Sequence, residues 1–181
     1  LMMAQFANGG YEVKPRIIDD KESIGTLVDA WREEFWYKHN NKKLSSAGLK
    51  KLYNNQENIK FVLDALYGAT NEPMGTSYRS RLNKPGYIYA GKTGTSQIRT
   101  ITPEERELKL KNKDLPYEKR DHALFIAFAP YKTPRYAISV VIEHGGTGSS
   151  AAAPIAKKVL KKVLDRDKER KQYQPDLFEW I

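Results

Sequence analysis

Apolar residues recur at i, i+3, i+4, i+7 and i+8 from Ile59 through Val62, Leu63, Leu66 and Tyr67, the period of a helix with one buried face. This spacing predicts an amphipathic helix over 56–67, stopped at Gly68. A second stripe, Ile155, Val159 and Val163 with the neighbouring Leu160 and Leu164, predicts a final helix from Ser150 with lysines opposite. Pro154 falls in its first turn, where a missing N–H costs little. Leu1 to Ala7 is also helix-like, and Asn8-Gly9-Gly10 reads as its left-handed cap. Two nearly continuous apolar runs, His122 to Ala129 and Arg135 to Glu143, flank Pro130-Tyr-Lys-Thr-Pro134. They predict an antiparallel hairpin covered on both faces.

Between these elements the pattern weakens. Tyr11 to Ile18, around Pro15, is extended, and Asn71 to Gly86 is turn-rich. Tyr87 to Gln97 reads as one strand, and Gln97 to Arg120 as a long, charged, functional or mobile loop. His144 to Ser150 is a glycine loop. Asp19 to Asn54 has no clear period; Trp31, Phe35, Trp36 and Tyr37 there read as a helix packed on the core in preference to a partner-binding surface. The sum is an α/β chain of the α+β type, an antiparallel sheet flanked by helices, with no internal repeat.

Length and charge narrow this picture little. At 181 residues the chain suits one domain with a real core. Lys plus Arg number 31 against 22 acidic residues, with local blocks at Lys157-Lys158, Lys161-Lys162 and Arg166 to Lys171. A net charge of +9 favours anionic partners, but its diffuse spread reads as a solvated surface, and no nucleic-acid partner is expected. The absence of cysteine excludes disulfides and thiol nucleophiles. No apolar run is long enough to span a bilayer, and no signal peptide is visible. The chain opens within helix-like apolar sequence, which reads as a fragment.

Candidate chemistry concentrates at Gly86-Tyr-Ile-Tyr-Ala-Gly-Lys92-Thr93-Gly94-Thr95-Ser96-Gln97. Its first eight residues spell the phosphate loop G-x-x-x-x-G-K-[ST], which would place Lys92 on a nucleotide. A phosphate loop needs a cradle of backbone N–H groups and a helix opening after Lys-Thr. Here Tyr-Ile-Tyr-Ala is β-prone, and the following residues are β-branched and broken by Pro103, so nucleotide binding is the remote reading. The other spelling, Lys-Thr-Gly, is the third motif shared by β-lactamases and penicillin-binding proteins. On a strand bordering a cleft, a lysine ammonium can join a hydroxyl in a proton relay. The Thr93 and Thr95 hydroxyls suit a carboxylate, and Gly94 lets a substrate approach the backbone.

Several segments extend the match in order. Ala90-Gly-Lys-Thr-Gly-Thr-Ser-Gln97, Met3-Ala-Gln-Phe-Ala-Asn-Gly-Gly10 with Pro15, Asp121-His-Ala-Leu-Phe-Ile-Ala-Phe-Ala-Pro130, Ser139-Val-Val-Ile-Glu-His-Gly-Gly146 and Ala151-Ala-Ala-Pro-Ile-Ala156 together resemble the class B penicillin-binding proteins. The charged stretch ending Asp121-His122 most resembles the elongation-type branch, penicillin-binding protein 2. The resemblance covers residues 1–18 and most of the chain beyond Tyr53; residues 19–54 read as an insertion in the C-terminal portion of one transpeptidase domain spanning 1–181.

The resemblance implies a penicillin-binding, serine β-lactamase-like fold and D,D-transpeptidation of peptidoglycan at the periplasmic face of the bacterial inner membrane. A serine would attack the stem peptide to give an acyl-enzyme, resolved by an amine from a neighbouring strand; β-lactams would acylate the same serine. It implies catalytic roles for Lys92 and Thr95, the latter through its backbone N–H in the oxyanion hole. Thr93, Gly94, Thr95 and Ser96 would bind substrate. No metal or other cofactor is implied. Partners would be stem peptides, β-lactams, an N-terminal part of the same protein and elongation-complex membrane proteins. The family's Ser-x-x-Lys and Ser-x-Asn are absent, since Ser46-Ala-Gly-Leu-Lys50 is one residue too long. The chain alone is therefore expected to be inactive. His39, His122 and His144 are too scattered in sequence to replace the nucleophile, and His122 reads as structural. Beside the transpeptidase stand two alternatives, a non-enzymatic penicillin-sensor-like or split-gene remnant and the nucleotide binder.

Overall fold

The computed structural model describes residues 1–13, 15, 50–53, 55–108 and 111–166. The expectations for the aromatic cluster at 31–37, for 16–49 generally, for His39 and for the basic block beyond residue 166 lie outside them. The chain divides into two units, Leu1–Val62 and Leu63–Ile181.

In the first unit, α1 (Met2–Ala7) ends at Asn8, whose φ of −94° is not left-handed. The turn is made by Gly9 and Gly10 at φ +83° and +97°, conformations open to residues without a Cβ. Asn8 contributes with its side chain, Oδ1 accepting the N–H of Gly10 and of Tyr11. This sends Tyr11 into an antiparallel bridge with Lys51. Gly10 lies against Ile59, where a Cβ would come within 2.5 Å of Cδ1. Ile59 opens the buried stripe of α2 (Gln56–Asn71).

The end of α2 belongs to the second unit and runs past Gly68, contrary to the expected stop there. The helix continues because its last turn is held by partners outside it: Thr70 Oγ1 donates to Gly91 O, and Asn71 Nδ2 donates to Tyr89 O. Tertiary hydrogen bonds override a single glycine, whose helical penalty is about 1 kcal/mol.

Three strands form the sheet of this unit: β1 (Ala90–Ser96), β2 (His122–Ala129) and β3 (Tyr136–Ile142), in the order β1-β2-β3, all antiparallel. The expected hairpin is present, with Ala129 opposite Tyr136. β1 begins later than expected, since Tyr87 lies in a turn closed by its N–H on Lys84 O. Ile88 and Tyr89 lead into it, their carbonyls taken by Tyr131 N–H and Asn71 Nδ2. Phe125, Ala123 and Ala127 of β2 pack with Ala153, Ala156, Leu160 and Leu164 of the final helix α4 (Ala153–Arg166), and Tyr89 meets Phe125 edge-on at 6.3 Å. Tyr89 keeps its hydroxyl satisfied by donating to Ser80 O, and burial holds that phenol well above its ordinary pKa.

Two expectations about burial are corrected. β3 alternates half-buried and exposed residues, with Ala137, Ser139 and Val141 on the exposed side, so only one of its faces is covered. On α4 the buried stripe is Ala153, Ala156, Leu160 and Leu164, whereas Ile155 and Val159 are exposed. Small alanines bring the helix close to the sheet and turn the bulkier β-branched positions outward.

The charged excursion after β1 is also more ordered than a loop. Pro103 starts a helix, α3 (Pro103–Glu107), at its first turn. Thr102 and Glu105 form a reciprocal capping box before it. Arg99 pairs with Glu105 at 2.6 Å.

Candidate active site

The site is built on the free side of β1. Among the described residues β1 pairs only with β2. Gly91 directs both its N–H and its C=O to Thr70 Oγ1, at 3.0 and 3.2 Å, away from β2. Backbone groups of residues two apart on a strand point the same way. Thr93 and Thr95 therefore aim their N–H and C=O along the same open edge, past the point where Thr70 covers it.

Side chains divide by the pleat. Thr93 and Thr95 stand opposite Phe125 and Ala123, on the face that carries α4. Lys92, Gly94 and Ser96 project from the other face. Lys92 nevertheless returns to the edge, where its Nζ donates to Thr93 O at 3.1 Å. The five sequence-predicted residues thus share one edge strand but not one sheet face. Lys92, Thr95 and Ser96 are exposed there, while Thr93 and Gly94 are half-buried.

Glycines shape the edge from behind. A Cβ on Gly148 would lie 2.3 Å from Leu124 O and 2.6 Å from Gly94 O, so the π-helical turn Gly148–Ala152 rests directly on the β1–β2 ladder at Gly94. At Gly94 itself a Cβ would find only ordinary to slightly tight contact with Leu124, at 3.3 Å. Packing demands glycine at Gly148, which motif spelling does not single out, and at Gly91, which it does, where a Cβ would lie 2.6 Å from Ile126 O.

Sequence reasoning also missed a hydroxyl group of residues beside the edge. Thr93 Oγ1 donates to Thr76 Oγ1 at 3.1 Å. Buried Ser77 lies 3.3 Å from Thr70 Oγ1 and donates to Ala69 O. The only available signal was the hydroxyl-bearing Gly75-Thr76-Ser77 turn following α2, which ordinary turn chemistry also explains.

Two of the three histidines meet, despite their separation in sequence. His122 Nδ1 accepts the N–H of His144 at 2.9 Å, the rings lie 4.9 Å apart, and His144 Nδ1 donates to Arg120 O. Tyr117 packs on His144, and Asn112 and Asp121 exchange two bonds of 2.9 Å. These contacts tie the charged excursion to the loop that leads into Gly148. His122 thereby links the start of β2 to the loop after β3.

The phosphate-loop reading fails on geometry. Lys92 and Thr93 lie within a strand that continues to Ser96, and no helix opens beside them.

Comparison with known proteins gives the family. The description "Penicillin binding protein transpeptidase domain" fits residues 1–161. The chain belongs to the penicillin-binding-protein transpeptidase family. It is 39% identical over 104 residues to the peptidoglycan D,D-transpeptidase MrdA of Salmonella typhimurium strain SL1344, a match covering 58% of this chain and 16% of that protein. Against MrdA of Escherichia coli K12 it is 33% identical over 102 residues, 56% of this chain and 15% of that one. The chain thus spans about a sixth of these curated relatives. Among solved structures, penicillin-binding protein 2 of Helicobacter pylori in complex with MreC aligns with TM-score 0.53 and 29% identity, over 67% of this chain and 20% of that chain. Penicillin-binding protein 2 of Pseudomonas aeruginosa in complex with WCK 5153 shares the fold, with TM-score 0.57 and 22% identity over 93% of this chain and 29% of that chain. The transpeptidase α/β fold, with its antiparallel sheet and helices, follows from both.

Proposed function

We propose that the open edge of β1 is the carboxylate- and oxyanion-binding wall of a peptidoglycan D,D-transpeptidase whose nucleophilic serine is supplied from outside these 181 residues. The observation that carries this reading is the outward aim of the Thr95 N–H beside the Lys92 ammonium and the Thr93 hydroxyl. A serine oxygen attacks the carbonyl carbon between the last two D-alanines of a stem peptide, and the terminal D-alanine leaves as its amine with a proton. An amine of a second stem peptide then displaces the serine, closing the cross-link. Thr95 N–H receives the charge that develops on the carbonyl oxygen, a donor whose loss typically costs about 10²–10³ in rate. Thr93 and Thr95 hydroxyls and Lys92 receive the substrate's terminal carboxylate, Gly94 leaves the backbone open to it, Ser96 borders the bound substrate, and Lys92 also joins the proton relay to the serine.

Assembly at the periplasmic face of the inner membrane fits the family. Among the described residues no helix is long and apolar enough to cross a membrane. Docking onto elongation-complex membrane proteins is supported by the MreC complex of the Helicobacter pylori relative. Binding of β-lactams is supported by the penicillin G acyl-enzyme of the Mycobacterium tuberculosis penicillin-binding protein A, a fold relative at 21% identity.

A fluorescent penicillin tests the division of labour. The 181-residue chain alone should form no covalent adduct, and the full-length protein should form one. An adduct on the isolated chain would overturn the assignment of the nucleophile to residues outside it.

A further inference from the structure

Thr76 stands outside every motif that identifies the family reading, yet the fold fixes it beside one of the proposed carboxylate ligands. Its turn has little freedom. A Cβ on Gly75 would lie 2.5 Å from the carbonyl oxygens of both Gly68 and Ala69, so the backbone here is pressed onto the end of α2. Ser77 N–H and Ser77 Oγ both bond Ala69 O, at 3.0 Å each. Ser77 Oγ also meets Thr70 Oγ1, which grips the backbone of Gly91. The turn and β1 are therefore held to each other through Thr70, two residues of β1 before Thr93. Between these fixed points Thr76 reaches Thr93 Oγ1 at 3.1 Å from an exposed position.

We infer that Thr76 is a positioning residue for Thr93, and through it a determinant of recognition of the substrate's terminal carboxylate. A threonine hydroxyl has one proton and two acceptor lone pairs. With no anion present, Thr93 donates that proton to Thr76. A bound carboxylate needs it instead. When Thr93 turns its O–H toward the anion, Thr76 can donate its own proton to Thr93 Oγ1. The pair then forms a chain from Thr76 through Thr93 to the carboxylate, which fixes the Thr93 rotamer and strengthens the charge-assisted bond. The hydroxyl of Thr76, and not its bulk, is what this exchange uses.

This inference rests on the transpeptidase reading, and its test separates the two. Acylation of the full-length protein is measured with benzylpenicillin and with its methyl ester, which lacks the anionic group. Thr76→Val should slow acylation by benzylpenicillin about 10-fold, the scale of a weakened hydrogen bond to a charged group. It should leave the slower ester reaction within about twofold, and Thr76→Ser should restore benzylpenicillin acylation. Thr76→Ala repeats the test should the valine variant not fold. Unchanged benzylpenicillin acylation in Thr76→Val or Thr76→Ala would overturn the inference, as would an equal loss with both ligands that serine does not rescue. Failure of the unmutated full-length protein to be acylated would overturn the transpeptidase reading itself.

Discussion

Thr70 is the residue on which the candidate site's geometry depends most. It is fully buried, and its single hydroxyl both donates to Gly91 O and accepts from Gly91 N–H. Removing that oxygen leaves two backbone groups without their partner in a dry environment, where each orphaned group costs about 1–3 kcal/mol. Thr70→Val should therefore lower unfolding stability by at least about 2 kcal/mol in urea denaturation, while Thr70→Ser recovers most of it. A valine variant as stable as the parent would mean that water replaces the hydroxyl. At this scale Lys92 to Ser96 were legible as candidates because the Lys-Thr-Gly spelling is short and contiguous. Thr70, Thr76 and Ser77 were not legible, since hydroxyls near a helix end serve turns and caps far more often than strands.

At the scale of elements, local rules succeeded where no long-range partner contested them. The α2 stripe, the β2–β3 hairpin and the Pro154 helix start all follow from period and turn chemistry. They failed where a distant residue intervened, as when Thr70 and Asn71 carried α2 past Gly68. Pro103 was misread as a breaker, although the Thr102-x-x-Glu105 spelling around it is a helix-opening signature. That small helix also predicts a pH response. Glu105 is held below the ordinary carboxylate range by the Arg99 side chain first and the Thr102 N–H second; Glu104 is lowered chiefly by its own backbone N–H. A depressed folded pKa gives stability that is present above the ordinary carboxylate range and lost as pH falls through the depressed value. Amide protection at Arg106 and Leu108, whose N–H groups bond Thr102 O and Glu104 O, should fall on that descent once the intrinsic slowing of exchange with acid is divided out. Protection that stays constant through it would show that the cap does not depend on the carboxylates.

For the whole molecule, the sheet and the helix packed on it were legible as a class, and the family from ordered segments that each occupy a described element. What the pattern could not show was which apolar residues stay outside. Val141, Ile155 and Val159 are each about half exposed, on elements whose other sides are buried. An amphipathic period reports that a face exists, but the alanines at 152, 153 and 156 decide which way α4 turns. Nor could it show that Thr93 and Thr95 would lie on a sheet edge that Thr70 covers only as far as Gly91.

Whether the β1 edge serves acyl transfer is read from the rate at which penicillin acylates the full-length protein and its Lys92→Ala variant. An adduct should form on a serine outside these 181 residues, and the variant should lose about 100-fold or more in rate, with folding stability unchanged because Lys92 is exposed. Equal rates in the two proteins would contradict that role.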